Sequence, residues 1–374
     1  MPSTRGYLFQ VSRSLTAVNE APVAPRTTRP DPRLPEAERF ARDILPPVSR
    51  TFALSIRVLP GTLGRAVHAA YLLCRIADTI EDEPHLPAPA KAALLDDLLR
   101  CFDDPDAAEA FPARLDGLGG DETHVRLARH THLVFVLYRE LPETTRSHVR
   151  RWVSEMIVGM KKFVLLYPDG IRIQSLDEYK EYCYYVAGTV GYLVTDLWHE
   201  HVPSIGVRLH GVLREKSRAY AEALQTVNIL KDVARDAERE NSIYIPEDLL
   251  QEHGSSHAMI LAPERLRQTR AALAAMVQLA WKDLDGARSY LLLIPRRAIS
   301  IRLSCVLPLL FACATLRDLT RAQQSLVLRE VVKISRAEVK SLTLIGFLVI
   351  LSNRGLAWLA DRATRSPFVL AGVR

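Results

Sequence analysis

The sequence predicts a single all-helical domain over residues 36–374, preceded by a short tail. Three observations support this fold class. Apolar residues recur at i, i+3, i+4 and i+7 through most of the chain, which is the period of an amphipathic helix. Alternating strand patterns are scarce, and no linker long enough to separate two domains follows residue 36. The stretches with the helical period are 61–83, 124–141, 144–166, 177–199, 207–238, 263–292 and 297–317.

Residues 1–35 are predicted to be a disordered tail. The run 26–35 is too rich in proline for a helix and too polar to pack against a core. The tail lacks the apolar segment of a secretory signal. Its excess of arginine mildly resembles a transit peptide, but a disordered tail is the favoured interpretation.

Composition limits the classes of partner. The net charge is +6 over 374 residues, which favours anionic substrates or an acidic membrane surface. No basic stripe with interleaved aromatic residues is present, so nucleic acid is not expected as a partner. The five cysteines are odd in number and lack C-x-x-C spacing, which favours reduced thiols and a cytoplasmic protein. Membrane association and oligomeric state stay open.

Two aspartate pairs with helical spacing are the strongest functional signal. Asp78 and Asp82 follow one apolar run, and Asp232 and Asp236 follow another. Residues at i and i+4 share a helix face, where like charges repel and weaken the helix. Two such pairs in apolar sequence favour carboxylates gathered around a cation over two solvated faces. Mg²⁺ suits them because it prefers oxygen ligands and is often shared with substrate phosphates.

An apolar run near the C-terminus, residues 342–351, invites two interpretations. It is too short to span a bilayer as a helix. We expect a buried helix that ends at Asn353 and Arg354, with shallow membrane contact as the alternative.

Four segments, in order, resemble the squalene and phytoene synthase family of prenyl-diphosphate condensing enzymes. The resemblance extends over roughly residues 40–335. The four segments are Val48–Phe52, Tyr71–Asp82, Tyr182–Gly191 and Gln225–Asp232.

The resemblance implies an isoprenoid synthase helical fold around a central cavity, with Mg²⁺ and prenyl diphosphates as ligands. Tyr185 is implied to lie near the reacting carbons as a proton-transfer group. Gln225 and Asn228 lie two turns and one turn before Asp232, on its face of the helix. The implied metal-binding and catalytic carboxylates are Asp78, Asp82, Asp232 and Asp236. The implied substrate-binding residues are Ser49, Arg50, Phe52, Arg75, Gln225 and Asn228.

Two residues depart from the family pattern of the second aspartate motif. Arg235 stands where the squalene branch usually has an acidic residue, which makes the site less negative. Lys231 stands where the family usually has arginine, which keeps the charge but loses the planar guanidinium fork.

The product is predicted from the late segments. Residues 301–316 and 331–336 resemble the squalene branch, in which two farnesyl diphosphates form presqualene diphosphate and NADPH reduces it to squalene. Residues 242–246 look more like the phytoene branch, so phytoene or dehydrosqualene synthesis without a reductant is the alternative. A non-catalytic assembly or binding protein of the same fold is a remote third, because all four aspartates are intact.

The implied NADPH site is a pair of cations. Lys333 and Arg336, at i and i+3 on a predicted helix, would form one positive patch that could hold the phosphates of NADPH. A solvated helix face explains the same two residues equally well, and the sequence has no glycine-rich dinucleotide fingerprint.

Overall fold

Helices make up nearly all of the computed structural model, which describes residues 30–115, 117–321 and 332–370. The only β pairing in these residues is an isolated bridge between Arg172 and Ile243. The all-helical prediction is therefore confirmed. The first eight helices are α1 Leu34–Val48, α2 Arg50–Arg57, α3 Gly61–Glu81, α4 Ala88–Arg100, α5 Pro105–Ala110, α6 Glu122–Ala128, α7 Thr131–Arg139 and α8 Glu143–Leu166. The later ones are α9 Leu176–Cys183, α10 Thr189–His201, α11 Val207–Arg239, α12 Glu247–Glu252, α13 Leu266–Leu293, α14 Ile299–Arg321, α15 Arg336–Leu348 and α16 Asn353–Arg365.

Two predicted helices are interrupted. The stretch 124–141 divides into α6 and α7, because the backbone at His130 leaves the helical region and Thr131 donates its hydroxyl to the carbonyl of Ala128. The stretch 177–199 contains a π-helical turn, Tyr184–Gly188, between α9 and α10. Such turns inside α-helices often occur at functional sites.

Helix α1 begins inside the predicted tail. The prediction that residues 26–35 exclude helix was wrong at its last two positions, since Leu34 and Pro35 form the first turn of α1. Proline is tolerated there because the first helical N–H groups have no intrahelical partner. The salt bridge from Arg33 to Glu109, at 2.6 Å, fixes this start. Residues 1–29 lie outside the described residues, so the rest of the tail stays a prediction.

The long helices α11 and α13 pack antiparallel at the centre of the domain. The rings of Tyr220 and Tyr290 lie 5.0 Å apart, and two residues further along α11 the charge of Asp283 acts on Glu222. The Tyr220 hydroxyl also donates to the carbonyl of Cys305 at 2.8 Å, which attaches α14. All five cysteines are buried and unpaired, as predicted.

Helix α14 is the one described helix that is long and apolar enough to cross a membrane. Its mean hydropathy is 2.0, but 83% of the apolar window is buried inside the protein. The α11, α13, α15 and α16 helices cover it. A core helix explains this composition, so α14 is weak support for a membrane span.

The C-terminal hairpin of α15 and α16 is fastened to α14 by two buried arginines. Arg317 donates to both carboxylate oxygens of Glu338, at 2.7 and 3.0 Å, and to the carbonyl of Ala363 at 2.8 Å. Arg302 donates to the carbonyl of Ile350 at 2.9 Å and to the side chain of Asn353 at 2.8 Å. Each guanidinium group therefore joins several helices at once.

The apolar run 342–351 is only partly buried. Leu342 and Ile350 face the core, while Leu348 is 71% exposed and Leu351 is 54% exposed. The prediction of a buried helix was wrong for these positions. Helix α15 ends at Leu348, so the residues after it form a turn at the surface instead of a further helical turn.

Candidate active site

The first aspartate pair lies at the C-terminal end of α3. Asp78 forms a salt bridge with Arg75 at 3.0 Å. Asp82 caps the helix, with its backbone N–H donating to the carbonyl of Asp78 at 2.9 Å and its backbone still in the helical region. The two carboxylates therefore keep the common face predicted from their spacing.

The second aspartate pair lies near the end of α11, and Lys231 forms a salt bridge with its first member. The Lys231 ammonium group contacts Asp232 at 3.1 Å and donates to the side chain of Asn228 at 3.5 Å. Gln225 is half-buried one turn earlier on the same helix. Lys231 thus supplies a cation where the family usually has arginine.

The charges of the two pairs act on each other. Burial raises the pKa of Asp236 to about 9, and the charges of Glu240, Asp232 and Asp82 add to that effect. Burial also raises the pKa of Asp82 well above its usual range, and the charges of Glu240 and Asp78 add to that effect. Because carboxylates of α3 and α11 shift one another, the four predicted aspartates lie in one acidic cluster.

Two further acids, absent from the predicted set, belong to the cluster. Glu81 is 5% exposed, and burial together with Asp82 and Asp78 raises its pKa. Glu240 lies one turn after Asp236 and pairs with Arg235 at 3.7 Å. Arg235, which stands where the squalene branch usually has an acid, is itself exposed. Helical spacing from Asp78 and Asp236 was the available signal for both.

The residues of this site fit a cation shared with an anionic group. Glu81 Oε1 and Arg75 Nε are buried without a hydrogen-bond partner, and such atoms are rare unless a ligand or water satisfies them. Within the described ranges, no three His, Cys, Asp or Glu side chains lie close enough to enclose an ion. Mg²⁺ typically keeps several waters and takes only one or two carboxylates plus phosphate oxygens, so this arrangement suits it.

The predicted substrate residues of α2 approach the first pair. The Ser49 hydroxyl accepts the backbone N–H of Phe52 at 3.2 Å, and the Phe52 ring lies 5.8 Å from the ring of Tyr71. Burial raises the pKa of the Tyr71 phenol, while Arg75 and the Ser49 hydroxyl lower it. The structure thus brings Ser49, Phe52 and Arg75 together. The side chain of Arg50 lies outside the described residues.

The tyrosines of the central segment occupy two different places. Tyr185 is half-buried against Gly159 of α8, where an added Cβ would overlap its ring. Tyr182 stacks on Tyr244, with ring centroids 4.9 Å apart. Burial raises the pKa of both phenols, and the charges of Glu81 and Asp82 act on each. Sequence reasoning chose Tyr185 and missed the two tyrosines beside the acidic cluster.

Two small cavities border the acidic cluster. One is lined by Glu81, Lys91 and Ser242 among others. The second lies beside Asp236 and Tyr244. Both are far smaller than the roughly 300–1,000 Å³ of typical ligand pockets.

Comparison with known proteins agrees with this fold. Residues 45–338 match the family model described as squalene/phytoene synthase. The chain belongs to the squalene/phytoene synthase family. Transferases of isoprenoid biosynthesis make up this family, and the aspartate motifs lie within the matched region.

Individual relatives are distant but cover most of the chain. The squalene synthase of Schizosaccharomyces pombe is 26% identical over 301 residues, which are 78% of this chain and 61% of that protein. The presqualene diphosphate synthase of Botryococcus braunii is 26% identical over 292 residues, 76% of this chain and 65% of that one. The chain thus spans under two thirds of the length of either relative. The solved complex of TcSQS with a ligand has a TM-score of 0.72 at 23% identity, covering 88% of this chain and 98% of that chain, which confirms the isoprenoid synthase helical fold.

The basic pair suggested by the family resemblance is arranged differently from the prediction. Lys333 and Arg336 are both exposed, but Lys333 precedes α15 instead of lying on it. The Ser335 hydroxyl accepts the backbone N–H of Glu338 at 3.1 Å and thereby starts the helix at Arg336. The prediction that the two cations share a helix face was therefore wrong, because the sequence signal of this cap was overlooked.

The raised pKa of Asp236 predicts a pH-dependent stability. Its folded value of about 9 lies above its ordinary 3.8, so the folded metal-free protein keeps a proton that the unfolded chain loses. The resulting stability is present below the ordinary value and is lost as pH rises to about 9. We expect the melting temperature of metal-free protein to fall over this range, and Mg²⁺ to restore it most at high pH.

Asp236→Asn is the matched variant for that experiment. It cannot ionise, so its melting temperature in metal-free buffer should depend less on pH, and its gain from Mg²⁺ should be smaller. Thermal melts at several pH values, with and without Mg²⁺, measure both effects. Equal pH profiles for the wild type and this variant would contradict the assignment.

Proposed function

We propose that the protein condenses two farnesyl diphosphates head to head through presqualene diphosphate, and that NADPH then reduces this intermediate to squalene. One observation carries the proposal: two carboxylate pairs from α3 and α11 form one cluster that Arg75 and Lys231 flank. The similarity to squalene synthases supports the same reaction class.

The carboxylates of the cluster would hold Mg²⁺. When bound, Mg²⁺ supplies positive charge that stabilises a departing diphosphate. The proposed binding residues are Asp78, Asp82, Asp232 and Asp236. Glu81 and Glu240 add two further carboxyl groups, and because burial raises the pKa of both, a bound cation would favour their ionisation.

Cationic and hydroxyl groups of the chain would orient the diphosphate. Arg75 has a buried Nε–H without a partner, and this donor could bind a diphosphate oxygen. Lys231 holds Asn228 and Asp232 in fixed positions on α11. Ser49 offers its hydroxyl from the start of α2. Fixed donors of this kind stabilise negative charge as it develops on the leaving group.

Aromatic and apolar groups would protect the carbocation left behind. Phe52 and Tyr71 lie on the side of Arg75, and Tyr182 and Tyr244 lie where the charges of Glu81 and Asp82 act on them. An aromatic face stabilises a nearby cation by about 0.5–2 kcal/mol. Exclusion of water prevents premature capture of the carbocation.

The assignment of a reductive step rests on the similarity to squalene synthases and on the late segments 301–316 and 331–336. Lys333 and Arg336 are exposed cations that could contact the phosphates of NADPH without sharing a helix face. The relative named presqualene diphosphate synthase, equally similar at 26% identity, favours a second candidate in which the reaction ends before reduction.

The test is incubation with C15 or C20 prenyl diphosphate, with and without NADPH, followed by mass analysis of the products. Squalene that forms from the C15 substrate only with NADPH, and presqualene diphosphate that accumulates without it, are the expected results. Phytoene or dehydrosqualene formed regardless of NADPH would assign the chain to the other branch. No product in any arm would favour a non-catalytic protein of this fold.

The tyrosines provide a second test of the site. We expect Tyr185→Phe to keep the fold and substrate affinity but to slow formation of presqualene diphosphate, because it removes only a proton-transfer group. Tyr182→Phe is the matched variant, since Tyr182 lies nearer the acidic cluster. Single-turnover rates decide between them. If only Tyr182→Phe slows formation of the intermediate, Tyr182 is the proton-transfer group. If neither variant changes that rate, neither tyrosine transfers the proton.

A further inference from the structure

We infer that the turn between α15 and α16, together with the start of α14, is a docking surface for an anionic lipid bilayer. This basic-apolar patch combines exposed apolar residues with arginines. Its members are Arg296, Arg297, Ile299, Leu348, Leu351 and Arg354. The inference concerns where the protein resides and does not depend on which product it makes.

One buried guanidinium group holds the two halves of the patch together. Arg302 donates to the carbonyl of Ile294, at 2.6 Å, and to the carbonyl of Ile350, at 2.9 Å. Asn353 reinforces this link by donating to the carbonyl of Leu292 at 3.1 Å. Every member of the patch is within five residues of one of these anchored positions, so a rigid scaffold presents them together.

The apolar members of the patch protrude. Leu348 is 71% exposed and Leu351 is 54% exposed, and both lie where α15 turns into α16. Ile299, at the first position of α14, is also exposed. Exposed apolar side chains on a convex turn can enter the headgroup boundary of a bilayer, where binding grows with the apolar area buried.

The two stretches of sequence that form the patch carry charges of one sign. No Asp or Glu occurs between Asp285 and Asp318, or between Glu338 and Asp361. The charged members that these stretches contribute to the patch are therefore arginines. Such a surface complements anionic lipid headgroups, which attract each nearby arginine measurably.

The same charges disfavour a second copy of this chain as the partner. A two-fold interface would place the patch against itself and bring its arginines together. Like charges opposed across an interface weaken association. A bilayer, with negative headgroups above an apolar interior, satisfies both the arginines and the leucines.

The patch is remote from the acidic cluster. From the level of the Tyr220–Tyr290 ring contact, α11 continues twelve residues to Asp232, whereas α13 continues three residues to Leu293 in the opposite direction. At 1.5 Å per residue the two sites are about 22 Å apart along the helix axes. Changes in the patch can therefore be made without altering the catalytic carboxylates.

The test is flotation of the full chain with vesicles of phosphatidylcholine alone or with added phosphatidylglycerol. We expect binding to the anionic vesicles, and weaker binding as salt rises. Leu348→Ser with Leu351→Ser should lower the partition coefficient at least about tenfold. Arg296→Gln with Arg354→Gln should lower it by a similar factor on anionic vesicles and little on neutral ones.

Matched control variants remove equally exposed side chains elsewhere. Val207→Ser with Leu166→Ser controls for apolar exposure, and Arg39→Gln with Arg42→Gln controls for charge. Melting temperature and diphosphate release should stay near wild type in the leucine variant, which shows that it folds. Failure of the wild type to float, or equal losses in test and control variants, would overturn the inference.

Sedimentation velocity tests whether the patch instead mediates self-association of the protein. Self-association that the leucine variant abolishes, without any vesicle binding by the wild type, would assign the patch to a protein interface and refute the lipid assignment. A monomer that floats only through the intact patch is the result that supports it.

Discussion

Asp78→Asn and Asp232→Asn are each expected to lower turnover at least about a hundredfold, because each removes a charge from a preorganised cation site. Asp78 lies beside Arg75 and Asp232 beside Lys231, so each change also leaves a cation without its carboxylate. Release of diphosphate from farnesyl diphosphate at saturating Mg²⁺ measures the effect without reference to the final product.

Asp96→Asn is the matched control for these variants. Asp96 is also a carboxylate on a helix, but it pairs with Lys161 at 2.6 Å on the surface. Its turnover should stay close to wild type. Wild-type turnover in a folded Asp78→Asn or Asp232→Asn protein would remove the basis for the metal assignment.

Arg317→Ala is expected to lower the free energy of unfolding by about 3–5 kcal/mol, the usual cost of leaving a buried charge without its partner. Arg317 is 1% exposed, and its loss leaves the buried Glu338 carboxylate with fewer donors. The backbone N–H of Phe368 would still donate to Glu338 at 2.8 Å, but it carries no charge. Urea unfolding of both proteins at one pH measures the difference.

Arg288→Ala supplies the control for that stability measurement. Arg288 also binds the C-terminal hairpin, through Asp361 at 2.6 Å, but both side chains of this pair are partly exposed. Exposed ion pairs contribute roughly 0.2–1 kcal/mol. Equal losses in the two variants would show that burial does not set the strength of the Arg317 interaction.

The helical period of the sequence predicted the long helices well, because each buries one apolar face. Helix α11 was expected at 207–238 and observed at Val207–Arg239. Errors arose where single side chains redirect the backbone. The Ser335 cap starts α15 after Lys333, and the break at His130 separates α6 from α7. A periodic pattern of apolar residues does not indicate where a single cap or backbone break will start or end a helix.

The burial of an apolar run depends on what packs against it. Residues 342–351 are continuously apolar, yet only one side of α15 meets α14. Sequence alone does not specify that contact. The exposed leucines were therefore assigned to the core, although shallow membrane contact had been retained as an alternative.

Within the site, pairs on one helix were predictable and contacts between helices were not. Asp78 with Asp82 followed from spacing, and the family resemblance implied that the second pair would face the first. Glu240 and Tyr244 enter the site because the chain turns back after α11. That turn involves Asn241, whose φ is +49°, a value that depends on local backbone geometry more than on side-chain pattern.

The central claim is that the two aspartate pairs form one binding site, and a double-mutant cycle tests it most directly. Calorimetry would measure the Mg²⁺-dependent affinity for inorganic pyrophosphate of the wild type, Asp82→Asn, Asp236→Asn and the double variant. We predict that each single change weakens binding and that the double change costs less than their sum, with an interaction energy of at least about 1 kcal/mol. Losses that add to within about 0.3 kcal/mol would show that the pairs act independently and would contradict the claim.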